Sequence, residues 1–420
     1  MKQTKRSKQP NKQEIAFRYI DENLLDFGRL RHDEISDQVQ IKNSDGTWRD
    51  FTTSDINTIV CDCSQETGVA ISAKEVQAVT LSHHVPHVHP LRDYVQACGA
   101  NPIYYNDPRI EGNVDWIDWL AQRVTVQGSE QEQLFWRQCF KKWFVAMVAS
   151  WLDDKVVNHQ VLTLIGEQGI FKTTWLEHLL PTELRSYVCK MPNNTFISKD
   201  DKLRVTEYGL INIDEVDAIS SPRELNSIKS LITTTDVSER AAYRYNKEKR
   251  VRIASFCASG NKAEFLTDTT GNRRWLPFLV AHIEDPWLIT LPYANIYAQA
   301  LFLIDHGFIY WFDQQENQSI DAHNDDFRAQ TNEEQLIHVF LAVPQPDEYD
   351  AEFLTTAEIS DLLATKGGIK KPLCPSKLGV LMRKAGFQEK RTSKKRGFIV
   401  KRLNDNDVSY NRKEEAKSDR

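Results

Sequence analysis

Gly166, Lys172 and Thr173 stand at the spacing of a phosphate-binding loop, G-x-x-x-x-G-K-[ST]. They lie in VLTLIGEQGIFKTTWLEHLL, where an apolar run leads into a turn and then a helical pattern. In such a loop the backbone N–H groups of the turn face an anion. Here Gly166, Gln168, Gly169, Ile170, Phe171, Lys172, Thr173 and Thr174 would surround the phosphates of a nucleotide. Lys172 would reach the β- and γ-phosphates, and the Thr173 hydroxyl would ligate Mg²⁺. Phe171 fills the slot where glycine is expected, and it fits there if it already lies in the right-handed first turn of the helix. An ordinary strand-turn-helix would carry the same short pattern.

The later segments add the groups that phosphoryl transfer needs. YGLINIDEVD is an apolar strand pattern ending in Asp214 and Glu215. One carboxylate at such an end can hold Mg²⁺, and the second can orient and deprotonate an attacking water. RIASFCASGN ends in Asn261, whose amide can hold that water or the γ-phosphate, although a plain strand-end cap looks the same. GNRRWLPF sets Arg273 and Arg274 before a further strand, the place for an arginine finger or, more plainly, a surface pair.

Two basic stretches point to nucleic acid. In RAAYRYNKEKRVR the cations Arg240, Arg244, Lys247, Lys249, Arg250 and Arg252 interleave with Tyr243 and Tyr245. Cations of this kind neutralise phosphates, and an aromatic ring such as Tyr245 stacks on exposed bases. Between Ser376 and Arg402 the bases include Lys377, Lys394, Lys395 and Arg396, and Glu389 is the single acid. Two helix patterns followed by a basic hairpin pattern there resemble a winged helix, with SKLGVLMRKAGF as recognition helix and SKKRG as wing tip. Both stretches could also be charged surface with no ligand. His83, His84, His87 and His89 crowd into SHHVPHVHP, but Pro86 and Pro90 make this an extended loop without further ligands at metal spacing.

The elements that must position these groups divide the 420 residues into five parts. Residues 1–13 read as a disordered basic tail, 14–130 as a mixed or helical N-terminal domain, and 131–345 as an α/β core with closing helices. Residues 346–405 read as the winged-helix-like domain and 406–420 as a frayed tail. Within the core, VLTLI, YGLINID, RIASFCASG and RRWLPFLV alternate with helical stretches, the pattern of a buried, mostly parallel sheet. Gln131 to Leu152 has apolar residues at helical spacing and predicts a strongly amphipathic helix. A net charge of −6 gives no global sign of nucleic acid, so that reading rests on the local patches. Seven scattered cysteines without C-x-x-C suggest reduced thiols. With no leader-like start and no apolar run of membrane length, a cytoplasmic protein away from membranes is expected.

The order of these motifs resembles the virulence-associated protein E family, P-loop ATPases related to superfamily-3 helicases and found in prophages and other mobile elements. The likeness runs through GEQGIFKTTWL, YGLINIDEVD, LNSIKSLITTTDVSERAAYRYNKEKRVRIASFCASGN and TTGNRRWLPF, covering about residues 80 to 340. It departs from the family at Phe171. The resemblance implies an AAA+-type P-loop core that forms a homo-oligomeric ring, a hexamer, with ATP and Mg²⁺ between subunits. Lys172 and Thr173 would then serve the phosphates and metal, and Asp214 and Glu215 the metal and water. Asn261 would be the sensor, and Arg273 or Arg274 would reach a neighbour's ATP. Single-stranded DNA would lie in the pore, and duplex DNA at the winged domain. The expected function is an ATP-driven DNA helicase or translocase acting in replication of a phage or mobile element. A DNA-binding ATPase switch in phage defence or element regulation is the second reading. A small-molecule kinase is a third, with no use for the basic stretches.

Overall fold

A computed structural model describes residues 10–101, 113–191, 198–219, 222–238, 249–266, 272–329, 332–345, 351–368, 374–392 and 395–403. The chain divides into two compact units, Met1–Phe327 and Arg328–Arg420.

The first unit is built on a six-stranded sheet. Its strands are β1 (Val124–Val126), β2 (Val161–Ile165), β3 (Val188–Met191), β4 (Leu210–Ile213), β5 (Ser255–Gly260) and β6 (Trp275–Ile283), in spatial order β1-β6-β2-β5-β4-β3. All neighbours run parallel except β1, which is antiparallel to β6. Every residue of β2, β4 and β5 is buried, as continuous apolar runs in a sheet covered on both faces must be. Alternate residues feed two cores: Leu162 and Leu164 face one, Val161 and Ile165 the other. Val124–Val126 therefore belongs to the central sheet and not to a separate domain ending at residue 130. The three-residue strand is too short to show a period of its own.

Helix α1 (Glu130–Leu152) crosses the first core, with α2 (Lys172–Glu177) and α3 (Tyr293–Asp305) contributing to the same apolar cluster. The N-terminal half of α1 keeps an outer face, with Leu134 half exposed. From Trp143 to Trp151 every residue is buried, so the expected amphipathic helix is instead enclosed on all sides over its last turns. Its tryptophan N–H groups are satisfied by backbone: Trp136 donates to Ala121 O at 2.9 Å, Trp143 to Phe256 O at 3.2 Å and Trp151 to Gly209 O at 3.2 Å. The last two bonds tie the helix to the amino ends of β5 and β4, and the first to the helix Trp116–Ala121.

Before β1, a four-stranded sheet (Leu30–Asp33, Gln38–Lys42, Trp48–Asp50 and His87–Val88) shares a small core with the helices Lys12–Ile20, Thr53–Thr67 and Ala73–Thr80. The Asp45-Gly46 turn joins the second and third of these strands, with Gly46 at φ 89°. Thr52 and Gly68 cap the helix Thr53–Thr67. Asp33, fully buried, accepts from Tyr187 Oη at 2.8 Å and so ties this region to the start of β3.

The second unit contains the helices Asn332–Phe340, Thr356–Gly367 and Pro375–Lys384. Its longest strand, Arg396–Arg402, pairs antiparallel with Leu341–Ala342, Glu352–Thr355 and Glu389–Arg391. Ile337, Val339 and Phe340 lie in its core, so the helix NEEQLIHVF belongs here. The boundary thus falls after Phe327 and not after residue 345. No helix among the described residues is long and apolar enough to cross a membrane. The seven cysteines are unpaired.

Replacing Trp143 by alanine is expected to cost about 3–5 kcal/mol in urea denaturation. Leu134→Ala, on the outer face of the same helix, should stay within about 0.5 kcal/mol.

Candidate functional site

Strand β2 delivers the chain into the loop at Gly166, where a Cβ would meet Val280 O at 2.8 Å, so a glycine is required by close approach. Its N–H donates to Gly260 O at 3.2 Å. Gly169 takes φ 88°. Phe171 takes φ 68° and ψ 15°, the left-handed region, as the residue capping α2. This corrects the expectation that it sits in the right-handed first turn. Its carbonyl does accept the first helical bond, from Trp175 N at 2.8 Å, but the residue itself lies outside the helical conformation. Glycine adopts that conformation freely, whereas for a side-chain-bearing residue it costs about 1–2 kcal/mol. Ile170 is partly buried against the first core.

Lys172 folds back over the loop. Its Nζ donates to Gly166 O at 2.7 Å, Glu167 O at 2.6 Å and Asn261 Oδ1 at 3.3 Å. Burial pushes the Lys172 ammonium below the usual lysine range, against the opposing pull of Asp217 and Asp214. Thr173 points at the end of the neighbouring strands. Its Oγ1 lies 3.2 Å from Asp214 Oδ1 and 3.0 Å from Ser259 Oγ, and Ser259 donates to the same carboxylate oxygen at 2.6 Å. Glu215 follows at φ 53°, another left-handed residue.

These groups share one cavity of about 380 Å³, also lined by Gln168, Gly169 and Thr174. Two residues escaped the sequence reading: Ser259, which lines the cavity, and Asp217, which supports it from outside the lining. Ser259 lies in ASGN, two residues before Asn261, and only the parallel register brings it opposite Asp214. Asp217 is the third acid of DEVD, and it accepts from Asn261 N at 3.0 Å and Lys262 N at 3.3 Å, so it holds the end of β5 in place. The repeated acids of DEVD were a visible signal for it.

Arg273 and Arg274 lie elsewhere. They precede β6, whose first residue Trp275 pairs with Val161 at the start of β2. The loop leaves the other end of β2, a strand length of roughly 16 Å away. Arg273 is exposed and Arg274 half-buried.

The base of the basic stretch is also at that far end, where Arg250–Val251 pairs antiparallel with Asp236–Val237. Arg252 is no part of any exposed surface. It is buried, donating to Ala254 O, Ile232 O and Asn158 O, and burial pushes its pKa down to about 9. Arg250 is largely covered too, bonded to Glu207 at 3.0 Å and Ile35 O at 2.7 Å. Lys249 remains well exposed beside Asp236. Arg240, Tyr243, Arg244, Tyr245 and Lys247 lie outside the described residues. In the second unit Lys377 pairs with Glu333 at 3.1 Å, Lys395 with Glu358 at 3.5 Å and Arg396 with Glu389, all exposed bases; Lys394 lies outside the described residues. Of the histidine group, His89 accepts from Arg92 N at 3.1 Å as a helix cap, and His87 stacks on His32 at 4.4 Å.

The family model described as the virulence-associated protein E-like domain matches residues 114–329, more than half of the chain. The chain belongs to that family. The virulence-associated protein E-like match encloses every residue of the cavity. Among solved structures, the apo NrS-1 C-terminal region (305-718) is 10% identical, with 94% of this chain and 100% of that chain covered and a TM-score of 0.46. The A form of the same apo region is also 10% identical, with 92% and 98% covered and a TM-score of 0.42. No curated protein matches.

Releasing the left-handed strain should stabilise the protein. Phe171→Gly is expected to raise stability by on the order of 1 kcal/mol, a gain of about 2 °C in calorimetric Tm. A fall in Tm would show that the ring makes a compensating contact.

Proposed function

We propose that this protein is a P-loop ATPase of the AAA+ and superfamily-3 type that moves on or unwinds DNA during replication of a phage or other mobile element. The observation that carries the reading is the meeting of Lys172, Thr173, Asp214 and Asn261, from three neighbouring parallel strands, around one cavity. Ligands of open parallel sheets bind outside the carboxyl ends of the strands, where this cavity lies.

The residues present suit a magnesium nucleotide. Thr173 Oγ1 and Asp214 Oδ1, 3.2 Å apart, are the hard oxygen donors that Mg²⁺ takes, and Ser259 steadies the carboxylate between them. Held by Thr173 and Asp214, Mg²⁺ would supply positive charge that offsets the phosphates. Lys172 would exchange its loop carbonyls for phosphate oxygens. Glu215 would orient and deprotonate water, and Asn261, steadied by Asp217, would hold that water or the terminal phosphate. Neither Arg273 nor Arg274 reaches the cavity of its own chain, which favours action on a neighbour's ATP in a ring, taken here as a hexamer.

DNA contact is assigned to two places. Single strands in the pore would meet the basic stretch around Arg244, Tyr245 and Lys247, with Lys249 at its exposed base and Arg250 as a support more than a phosphate ligand. The second unit, with three helices and an antiparallel hairpin, supports a winged-helix reading in which Lys377, Lys394, Lys395 and Arg396 meet duplex phosphates. The exposed ion pairs there are weak, so phosphate can displace their acids.

ATP hydrolysis should be stimulated by single-stranded DNA and disappear in Lys172→Ala. Glu215→Gln should lower turnover by about 10²–10⁴ with binding retained; unchanged hydrolysis would remove Glu215 as the base. Unwinding of a forked duplex separates a helicase from an ATPase switch, which would hydrolyse without separating strands.

Mixing tests the arginines. Lys172→Ala and an Arg273→Ala/Arg274→Ala double variant, each inactive alone, should regain partial activity when combined, because one interface then holds both intact partners. Mixtures that stay inactive would count against action in trans.

A further inference from the structure

Three described residues other than glycine have positive φ: Asp37, Phe171 and Glu215. Two of them, Phe171 and Glu215, line the same cavity. Strained backbone tends to persist where function holds it. For Phe171 burial is no compensation, because its side chain is 37% exposed and contributes to neither core cluster. Nor does its side chain make a capping hydrogen bond, as asparagine or aspartate can in that conformation.

The lining carries two kinds of group. Lys172, Asn261, Asp214 and Glu215 collect cation, amide and carboxylates where the terminal phosphate and its metal would be handled. Gly169, Phe171 and Thr174 also line it, and among the described lining residues Phe171 is the aromatic one. A phenyl ring offers phosphate nothing, but it offers a flat apolar face to a heterocycle.

Resting on the reading that this cavity takes a nucleoside triphosphate, we infer that Phe171 is a specificity-determining contact whose ring stacks on the nucleobase. Stacking between a base and an aromatic side chain accounts for about five- to a hundredfold in affinity. A purine, with the larger π-face, is preferred over a pyrimidine. The strained phenylalanine thus supplies at the loop a base contact that a glycine loop lacks.

Calorimetric titration of the full chain with ATP, CTP and inorganic triphosphate, each with Mg²⁺, tests this. The wild type should bind ATP more tightly than CTP or triphosphate. Phe171→Gly should lose about tenfold for ATP, with triphosphate affinity unchanged or improved. Phe171→Leu, which keeps a side chain in the strained position without a ring, should lose ATP affinity similarly, and Phe171→Tyr should retain it. Parallel changes for ATP and triphosphate, or unchanged or tighter ATP binding in Phe171→Gly, would overturn the stacking role. A wild type that binds neither ATP nor triphosphate would instead overturn the nucleotide reading on which it rests.

Discussion

The parallel register of β2, β5 and β4 is the constraint from which the site follows. Gly260 pairs with Ile165 and Ala258 with Ile213, so the strands stop at one common edge. At that edge the next residues are Gly166, Asn261 and Asp214, with Ser259 one step inside. A slip of one residue would turn each side chain to the opposite face and separate Thr173 from Asp214. Burial on both faces makes such a slip costly, because Leu162, Leu164 and Cys257 would leave one core for the other. The hydrophobic packing that stabilises the fold therefore also sets the distances within the site.

The same register gives the sheet two chemically different ends. The carboxyl end collects the loop, the acids and Asn261. The amino end carries Arg273, Arg274 and the base of the basic stretch. Arg252 ties the base of that stretch to Asn158, just before β2, through a buried guanidinium bonded to carbonyls. The base of the stretch is thus bonded to the segment that enters β2, the strand whose other end leads to Lys172.

Much of this was legible because apolar strands ending in particular polar residues are a local signal. VLTLI, YGLINID and RIASFCASG appear as strands where their patterns put them, and the residues after them meet. What was missed was not local. Val124–Val126 is a strand because β6 extends far enough to pair with it. The last turns of α1 are buried all round because the sheet and α3 enclose them, which periodicity on one helix cannot reveal. Arg252 looked like its basic neighbours in sequence, yet its guanidinium is consumed by backbone carbonyls of distant segments. The helix NEEQLIHVF joined the second unit because its apolar face fits that core.

Residue types, order and spacing by themselves determined a strand, a loop and a helix with Lys172 and Thr173, followed by strands ending in acids and an amide. They also determined family membership, since that information is carried by linear pattern. Only the tertiary structure decided that Ser259 and Asp217 complete the group and that the arginines stand away from it. It alone decided that Phe171 is left-handed. These depend on strand register and on backbone dihedrals set by the closure of the loop against β5 and β6, and neither is encoded by a residue and its nearest neighbours.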